Sequence, residues 1–176
     1  MGVCTFQGRE FQIEGQLPEV GSKAPDFKLV ASNLAEVTLK SYAKKRKVIN
    51  VFPSIDTSVC AKSVQRFNTE AALHQDVAIL NVSMDLPFAH KRFCGAEGIT
   101  RSEALSAFRS QFGCDWGLLI KEGPLEGLLS RAVFVLDKND DILYIEHVTE
   151  IKNEPNYDAA LKVLQSTKPG VVAKDE

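Results

Sequence analysis

The stretch from Lys47 to Val82, KVINVFPSIDTSVCAKSVQRFNTEAALHQDVAILNV, decides the fold. Near-continuous apolar runs occupy residues 47–52 and 77–82, and such runs are typical of strands that are covered on both faces. Residues 58–74 between them have helical periodicity, with apolar side chains recurring on one face. A strand, a helix and a second strand in this order predict a βαβ unit with a parallel pair of strands.

Weaker patterns on either side of this unit predict the remaining elements. The first 16 residues alternate around Gly8-Arg9, which favours an N-terminal β-hairpin. Gly95 and Gly113 are the expected ends of two helices. The expected fold class is α/β: one domain over residues 1–176, with a central mixed β-sheet flanked by helices. The further predicted strands are at residues 27–30, 132–136 and 142–148, and the further predicted helices at residues 87–94, 102–112 and 156–165.

Composition and charge exclude several classes of protein. The chain has 176 residues, 44% hydrophobic and 25% charged, as expected for a globular domain with a sizeable core. A net charge of -2 provides no electrostatic footprint for nucleic acid or an anionic membrane. No apolar run reaches about 18 residues, and the start of the chain lacks the pattern of a secretory or myristoylation signal. We therefore predict a cytoplasmic protein without a nucleic-acid or membrane partner.

Four cysteines, Cys4, Cys60, Cys94 and Cys114, remain to be explained. In a cytoplasmic protein they indicate chemistry or packing rather than a secreted disulfide framework. Their spacing contains no C-x-x-C pair, which argues against zinc and against a thioredoxin-type dithiol. Glycine-rich nucleotide-binding motifs are also lacking. The sequence therefore predicts neither a metal nor a cofactor.

Cys60 allows two interpretations. It lies on the apolar stripe of the helix predicted at residues 58–74, and free cysteine is among the most buried residue types. With Asp56 or Thr57 as the N-cap, it also lies in the first helical turn, where unpaired N–H groups and the helix dipole favour an anion such as a thiolate. Pro53 precedes it at the carboxyl end of a strand, where ligands usually bind in an open α/β sheet. A packing residue and a reactive thiol both remain open on this reasoning.

A resemblance to a known family bears on this choice. The pattern P-x-x-x-T-x-x-C is present as Pro53, Thr57 and Cys60, and it is similar to the active-site motif of peroxiredoxins. The segments SIDTSVC, SMDLPFA (83–89), RFCGAEGI (92–99) and RAVFVLD (131–137) resemble the thiol peroxidase subfamily, the atypical 2-Cys peroxiredoxins. The likeness covers nearly the whole chain and implies a thioredoxin-like fold.

The resemblance assigns expected roles to four residues around one site. Cys60 matches the peroxidatic cysteine, whose thiolate attacks the peroxide O–O bond. Thr57 matches the threonine that hydrogen-bonds the peroxide and the sulfur, and Pro53 matches the shielding proline. Arg131 matches the active-site arginine, and a fixed cation beside Cys60 would stabilise the thiolate and the developing alkoxide. A surface ion pair is the alternative role for Arg131.

A second thiol is expected because a sulfenic acid at Cys60 is open to further, irreversible oxidation. Cys94 matches the resolving cysteine of the subfamily, so the resemblance implies an intramolecular Cys60–Cys94 disulfide. It further implies recycling by thioredoxin or a similar dithiol protein, and a homodimer. The expected function is the reduction of hydrogen peroxide and organic hydroperoxides. From position alone, Cys94 would instead be a small apolar residue on an amphipathic helix.

The sequence also allows expectations for the remaining cysteines and for His90, and it leaves two competing functions open. Cys4 and Cys114 match no catalytic position, so packing is expected for both. His90 stands where the resemblance leads us to expect a glutamine, and we predict it to lie on the surface. The apolar side chains of Phe52 and its neighbours Leu86 and Phe88 suggest room for an alkyl peroxide. A peroxide sensor or thiol-disulfide relay with low turnover, and an inert thioredoxin-like domain, are the competing functions.

Overall fold

The computed structural model describes residues 2–71 and 73–167, and its framework is a seven-stranded sheet with a smaller three-stranded sheet beside it. The strands are β1 (Val3–Phe6), β2 (Arg9–Glu14), β3 (Leu29–Ala31), β4 (Glu36–Val37), β5 (Arg46–Val51), β6 (Val77–Ser83), β7 (Glu103–Ser106), β8 (Leu119–Ile120), β9 (Ala132–Leu136) and β10 (Ile142–His147). The helices are α1 (Ser58–Ala71), α2 (Pro87–Glu97), α3 (Phe112–Asp115) and α4 (Tyr157–Gln165), with a short 3-10 helix at Leu39–Tyr42.

The large sheet is mixed, in the strand order β10-β9-β5-β6-β7-β3-β4. Strands β5 and β6 are parallel, with Val48 opposite Ile79, and α1 connects them. The predicted βαβ unit is therefore confirmed. β9 pairs antiparallel with both β5 and β10, and β9 and β10 form the predicted hairpin. A mixed sheet flanked by helices confirms the predicted fold class.

The alternation of side chains along β5 divides the core into two layers. Val48 packs in the cluster that contains Phe67 of α1 and Leu164 of α4. Its neighbour Ile49 packs on the other face, in a cluster with Trp116 that includes residues of α3 and the 3-10 helix. Both faces of β5 are thus covered, which is why its sequence is apolar at successive positions.

The N-terminal hairpin is confirmed and forms the small sheet. β1 pairs antiparallel with β2, and β2 pairs with β8 through Ile13 and Ile120. Thr5 of β1 is also hydrogen-bonded through its backbone to Thr149 and Ile151. The hairpin is therefore fastened beside the chain segment that follows β10, and this brings it to one wall of the site described below.

The helix predicted at residues 102–112 was wrong. The structure has strand β7 there, parallel to β6, with Val82 opposite Leu105. Pairing with the sheet satisfies the backbone and buries Ala104 and Leu105, and this tertiary gain overrides the helical spacing of apolar residues. Gly113 does not end a long helix but lies inside the four-residue helix α3.

The end of the second predicted helix was also misplaced. α2 continues through Gly95, which is exposed, and ends at Gly98, whose φ of 66° places it in the left-handed region. Gly98 donates its N–H to the carbonyl of Cys94. Two glycines are close together here, and the one with positive φ ends the helix.

The predicted helix at residues 58–74 is shorter than expected, and α4 was predicted almost as found. α1 is described to Ala71, residue 72 lies outside the described residues, and His74 lies in the loop before β6. Asn156 caps α4 by accepting a hydrogen bond from the Ala159 N–H.

None of the helices in residues 2–71 and 73–167 combines the length and apolar character needed to cross a membrane.

Candidate active site

Cys60 lies in the first turn of α1, just beyond the carboxyl end of β5. The carbonyl of Thr57 accepts the N–H of Ala61 at 2.9 Å, so Thr57 holds the N-cap position and Cys60 is the third helical residue. The Cys60 side chain is fully buried, in a cluster with Phe52 and Val64. The unpaired N–H groups and the positive end of the helix dipole favour negative charge at this position.

Arg131 supplies a buried cation directly beside this thiol. Its side chain is 1% exposed, and its Nη2 donates to the Sγ of Cys60 at 3.1 Å. Its Nε donates to the carbonyl of Ile151 at 3.0 Å, which fixes the plane of the guanidinium. Its Nη1 is buried and has no hydrogen-bond partner among the described residues. The geometry stabilises a thiolate and leaves one donor free for a further acceptor.

Pro53 and Thr57 meet Arg131 around one cavity of about 530 Å³. Pro53 is buried where β5 ends, and the hydroxyl of Thr57 donates to the carbonyl of Ser54 at 3.1 Å. The structure thus brings Pro53, Thr57 and Arg131 to the cavity, and Arg131 contacts Cys60, which does not itself line it. Apolar residues in the walls of the cavity include Phe6, Leu125, Leu128 and Ile151.

These walls differ from the apolar residues suggested by the sequence. Phe52 is fully buried in the core beneath Cys60. Leu86 and Phe88 are 51% and 67% exposed, and neither lines the cavity. The walls instead come from the N-terminal hairpin and from loops after β8 and β10, segments that only the tertiary fold brings together.

Cys94 lies on α2, half-buried against the apolar cluster that contains Cys60. Both thiols are free. Burial raises the pKa of the Cys94 thiol. No residue from position 91 to position 98 is buried, so few contacts hold the carboxyl half of α2. Local unfolding of this half of α2 therefore costs less free energy than opening of the core strands.

A carboxylate that the sequence reasoning did not single out fixes the loop before α1. Asp85 accepts hydrogen bonds from the Ser54 hydroxyl at 2.8 Å and from the Ile55 N–H at 2.7 Å. It also accepts from the Ser83 hydroxyl at 2.6 Å. Asp85 follows β6 as Pro53 follows β5, and parallel strands end at the same edge of a sheet. The position of Asp85 just after β6 is therefore the sequence feature that could have indicated its place beside the loop at Pro53.

His90 was predicted to lie on the surface, and this was wrong. Its side chain is fully buried, with Nε2 2.7 Å from the Ser83 hydroxyl. On α2 the buried residues are Pro87 and His90, spaced by three, whereas Phe88 between them is exposed. The helix therefore buries His90, which has Ser83 as a polar partner, and exposes Phe88.

The remaining cysteines lie apart from this cavity. Cys4 is fully buried in the small sheet, and burial raises its pKa. Cys114 lies in α3 and is half-buried, and burial likewise raises its pKa. Neither lines the cavity beside Arg131.

Comparisons with known proteins agree with this arrangement. Residues 19–161 match the Redoxin family. The chain is 48% identical to the thiol peroxidase of Corynebacterium glutamicum over 164 residues, which is 93% of this chain and 99% of that protein. The crystal structure of a peroxiredoxin-like protein from Aquifex aeolicus superposes with a TM-score of 0.87 at 38% identity, covering 93% of this chain and 96% of that one. A thiol peroxidase from Chromobacterium violaceum has a TM-score of 0.84 at 24% identity, over 93% and 95% of the two chains, and shares the fold.

Proposed function

The chain belongs to the Redoxin family and to the thiol peroxidases, and from this premise we propose that Cys60 reduces hydrogen peroxide and organic hydroperoxides. The Cys60 thiolate attacks one peroxide oxygen and the O–O bond breaks. The electron pair of that bond leaves with the other oxygen, which takes a proton and becomes water or an alcohol. The sulfur loses two electrons and becomes a sulfenic acid.

The observation that carries this proposal is the contact between Arg131 and Cys60. A guanidinium held at 3.1 Å favours the thiolate, which is the nucleophilic form of cysteine. The Nη1 of Arg131 has no hydrogen-bond partner in the described part of the chain, and it is available to the leaving oxygen as negative charge develops there. We assign to Thr57 a hydrogen bond to the bound peroxide, for which its hydroxyl must leave the Ser54 carbonyl. Pro53 is assigned to exclude water.

We assign the second step to Cys94. Its thiolate attacks the sulfenic sulfur of Cys60, the S–O bond breaks as the disulfide forms, and the departing hydroxide takes up the proton released by the Cys94 thiol and leaves as water. Both side chains belong to one apolar cluster, so the step requires local movement rather than rearrangement of the sheet. The weakly held carboxyl half of α2 and the first turn of α1 are the segments that must open.

Organic hydroperoxides are proposed as substrates because the cavity beside Arg131 is largely apolar. Phe6, Leu125, Leu128 and Ile151 can cover an alkyl group, and its burial contributes about 25 cal/mol for each Å² removed from water. The reacting oxygens would then face Arg131 and Thr57. Hydrogen peroxide fits the same polar end without using the apolar walls.

The reductant, compartment and assembly are also proposals. We propose that thioredoxin or a similar dithiol protein reduces the Cys60–Cys94 disulfide by thiol–disulfide exchange. The cytoplasm is the proposed compartment because that exchange requires a supply of reduced thiols. A homodimer is proposed from the family resemblance.

Coupled turnover tests the proposal. Purified protein is given peroxide, thioredoxin, thioredoxin reductase and NADPH, and the loss of NADPH is followed. We expect Cys60→Ser to abolish turnover, and Cys94→Ser to react once with peroxide but fail to cycle. Cys114→Ser is the matched control and should cycle at the wild-type rate. Sustained cycling by the Cys94→Ser variant would contradict the resolving step.

The same assay separates the peroxidase from a sensor or relay protein. A peroxidase oxidises Cys60 rapidly and then consumes peroxide continuously with thioredoxin. A relay protein would show complete oxidation of Cys60 but only slow thioredoxin-coupled consumption. The two rates are therefore measured on one preparation.

A further inference from the structure

His90 is buried near the loop formed by residues 53–57, and hydrogen bonds connect it to that loop through Ser83 and Asp85. Its Nε2 lies 2.7 Å from the Ser83 hydroxyl, and that hydroxyl lies 2.6 Å from the Asp85 carboxylate. Asp85 in turn holds the Ser54 hydroxyl and the Ile55 N–H. One continuous chain of hydrogen bonds therefore runs from His90 to the loop between Pro53 and the N-terminus of α1.

The direction of each bond in this chain follows from the chemistry of its members. A serine hydroxyl has one hydrogen to donate, and an ionised carboxylate can only accept. Ser83 must therefore donate to Asp85, and the ring of His90 must donate its Nε2–H to Ser83. In the neutral ring this assigns the Nε2–H tautomer, with a bare Nδ1. That Nδ1 is buried and has no partner among the described residues.

From this geometry we propose that His90 is a positioning residue for the reaction at Cys60: through Ser83 it orients Asp85, which fixes the Ser54–Ile55 backbone of the loop that carries Pro53 and Thr57. The proposal rests on the peroxidase function of Cys60. Ser54 is also the residue whose carbonyl receives the Thr57 hydroxyl. A shift of this loop therefore changes the position of the threonine that is assigned to the peroxide.

Protonation of the ring would leave the Nε2–H bond to Ser83 in place but would add a charge to this buried site. A proton on Nδ1 would create a buried donor without an acceptor, and it would place positive charge 3.8 Å from an Asp85 oxygen. Asp85 could then turn toward the ring and release the Ile55 N–H. Burial lowers the pKa of His90, against the opposing effects of the Asp85 and Asp56 carboxylates. Asp56 is itself paired with Arg92 at the surface.

Two substitutions at position 90 separate positioning from space-filling. His90→Leu removes the donor to Ser83, whereas His90→Gln keeps an N–H donor but cannot titrate between pH 5 and 8. At pH 7.5 we expect the Leu variant to react with peroxide about tenfold more slowly, as for the loss of one buried hydrogen bond, and the Gln variant to recover most of that rate. Because burial lowers the pKa of His90, the ratio of the Gln rate constant to the wild-type one should stay constant near pH 7.5 and rise only as the pH falls below the ordinary histidine range.

A second readout follows the loop itself and does not depend on turnover. Amide hydrogen exchange measured by NMR reports the Ile55 N–H, which Asp85 accepts. We expect faster Ile55 exchange in the Leu variant and near-wild-type exchange in the Gln variant. If His90→Leu does not fold, Ser83→Ala interrupts the same series of hydrogen bonds between His90 and Asp85. It should give the same slower reaction with peroxide and the same faster Ile55 exchange. His74→Gln is the control, since His74 lies at the opposite end of β6.

The outcomes distinguish this proposal from the proposed function. Wild-type rates and Ile55 exchange in His90→Leu and Ser83→Ala would overturn the positioning role while leaving the peroxidase function intact. A pH-independent ratio of Gln to wild-type rate constants would overturn the effect proposed for protonation of the ring. A wild-type protein that does not react at Cys60 would overturn the peroxidase function and, with it, the catalytic consequence proposed for His90.

Discussion

The guanidinium of Arg131 lies 3.1 Å from the sulfur of Cys60, and both side chains are buried. The two residues are 71 positions apart in the chain and come from different strand ends. The bond from Arg131 Nε to the Ile151 carbonyl keeps the guanidinium in place before any substrate arrives. The site is thus arranged in advance for a negative sulfur.

Replacement of Arg131 should slow the first step. A hydrogen bond to a charged group contributes about 1.5–3 kcal/mol, which corresponds to roughly 10–100-fold in rate. We expect Arg131→Met to lower the rate constant for peroxide by that factor. Arg109→Met, at an exposed ion pair with Glu36, is the control. Equal rates in the Arg131 variant and wild type would show that this contact is only structural.

Filling the cavity should change the choice of peroxide. Leu128 lines the apolar wall, and a tryptophan there would occupy the space proposed for an alkyl group. In Leu128→Trp we expect the ratio of the rate constants for cumene hydroperoxide and hydrogen peroxide to fall about tenfold. Leu73→Trp, at an exposed position away from the cavity, should leave the ratio unchanged. An unchanged ratio in Leu128→Trp would mean that organic peroxides bind elsewhere.

The free energy of unfolding should fall as the pH is lowered below about 6.5. Burial lowers the pKa of both His90 and His147, so the folded protein binds fewer protons than the unfolded chain in this range. Their contribution is complete above the unfolded pKa and is lost as the pH falls toward the folded values. Urea unfolding at pH 7.5 and pH 5 should show a smaller loss in the double variant His90→Gln, His147→Gln. Identical losses in the two proteins would contradict this origin.

Gly117 should be sensitive to substitution because of a close backbone approach. Its φ is +68°, and a Cβ there would lie 2.3 Å from the backbone of both Gln16 and Leu17. We expect Gly117→Ala to lower the free energy of unfolding by at least about 2 kcal/mol in urea titrations. At Gly8 the φ is +80° with nothing within 4 Å, so Gly8→Ala should cost about 1 kcal/mol from backbone conformation alone. Equal losses at the two glycines would show that no clash occurs at Gly117.

The central fold was predictable because β5 and β6 are buried on both faces, which requires apolar residues at successive positions. The strand β7 could not be predicted, because four residues are too short for the alternation of a strand to be distinguished from the spacing of a helix. Its conformation is decided by its pairing with β6. That residues 1–176 form one domain stays a prediction, since residues 1, 72 and 168–176 lie outside the described ranges.

The position of Cys60 at the start of a helix was predictable from the sequence, whereas the walls of the neighbouring cavity were not. Cys60 could be placed in the first helical turn from the N-cap pattern alone, whereas Arg131 and Cys94 entered through the family resemblance. The cavity walls and the partners of His90 depend on contacts between segments far apart in sequence. A buried histidine also has no distinctive local pattern, because its burial depends on whether a polar partner such as Ser83 faces it.

The central claim is that Cys60 reacts with peroxide and Cys94 resolves the product, and disulfide mapping by mass spectrometry tests it most directly. The reduced protein is treated with one equivalent of peroxide, blocked with an alkylating agent and digested without reductant. The account predicts that a Cys60–Cys94 link within one chain dominates and disappears with dithiothreitol. A dominant bond to Cys114, or a link between two chains, would contradict it.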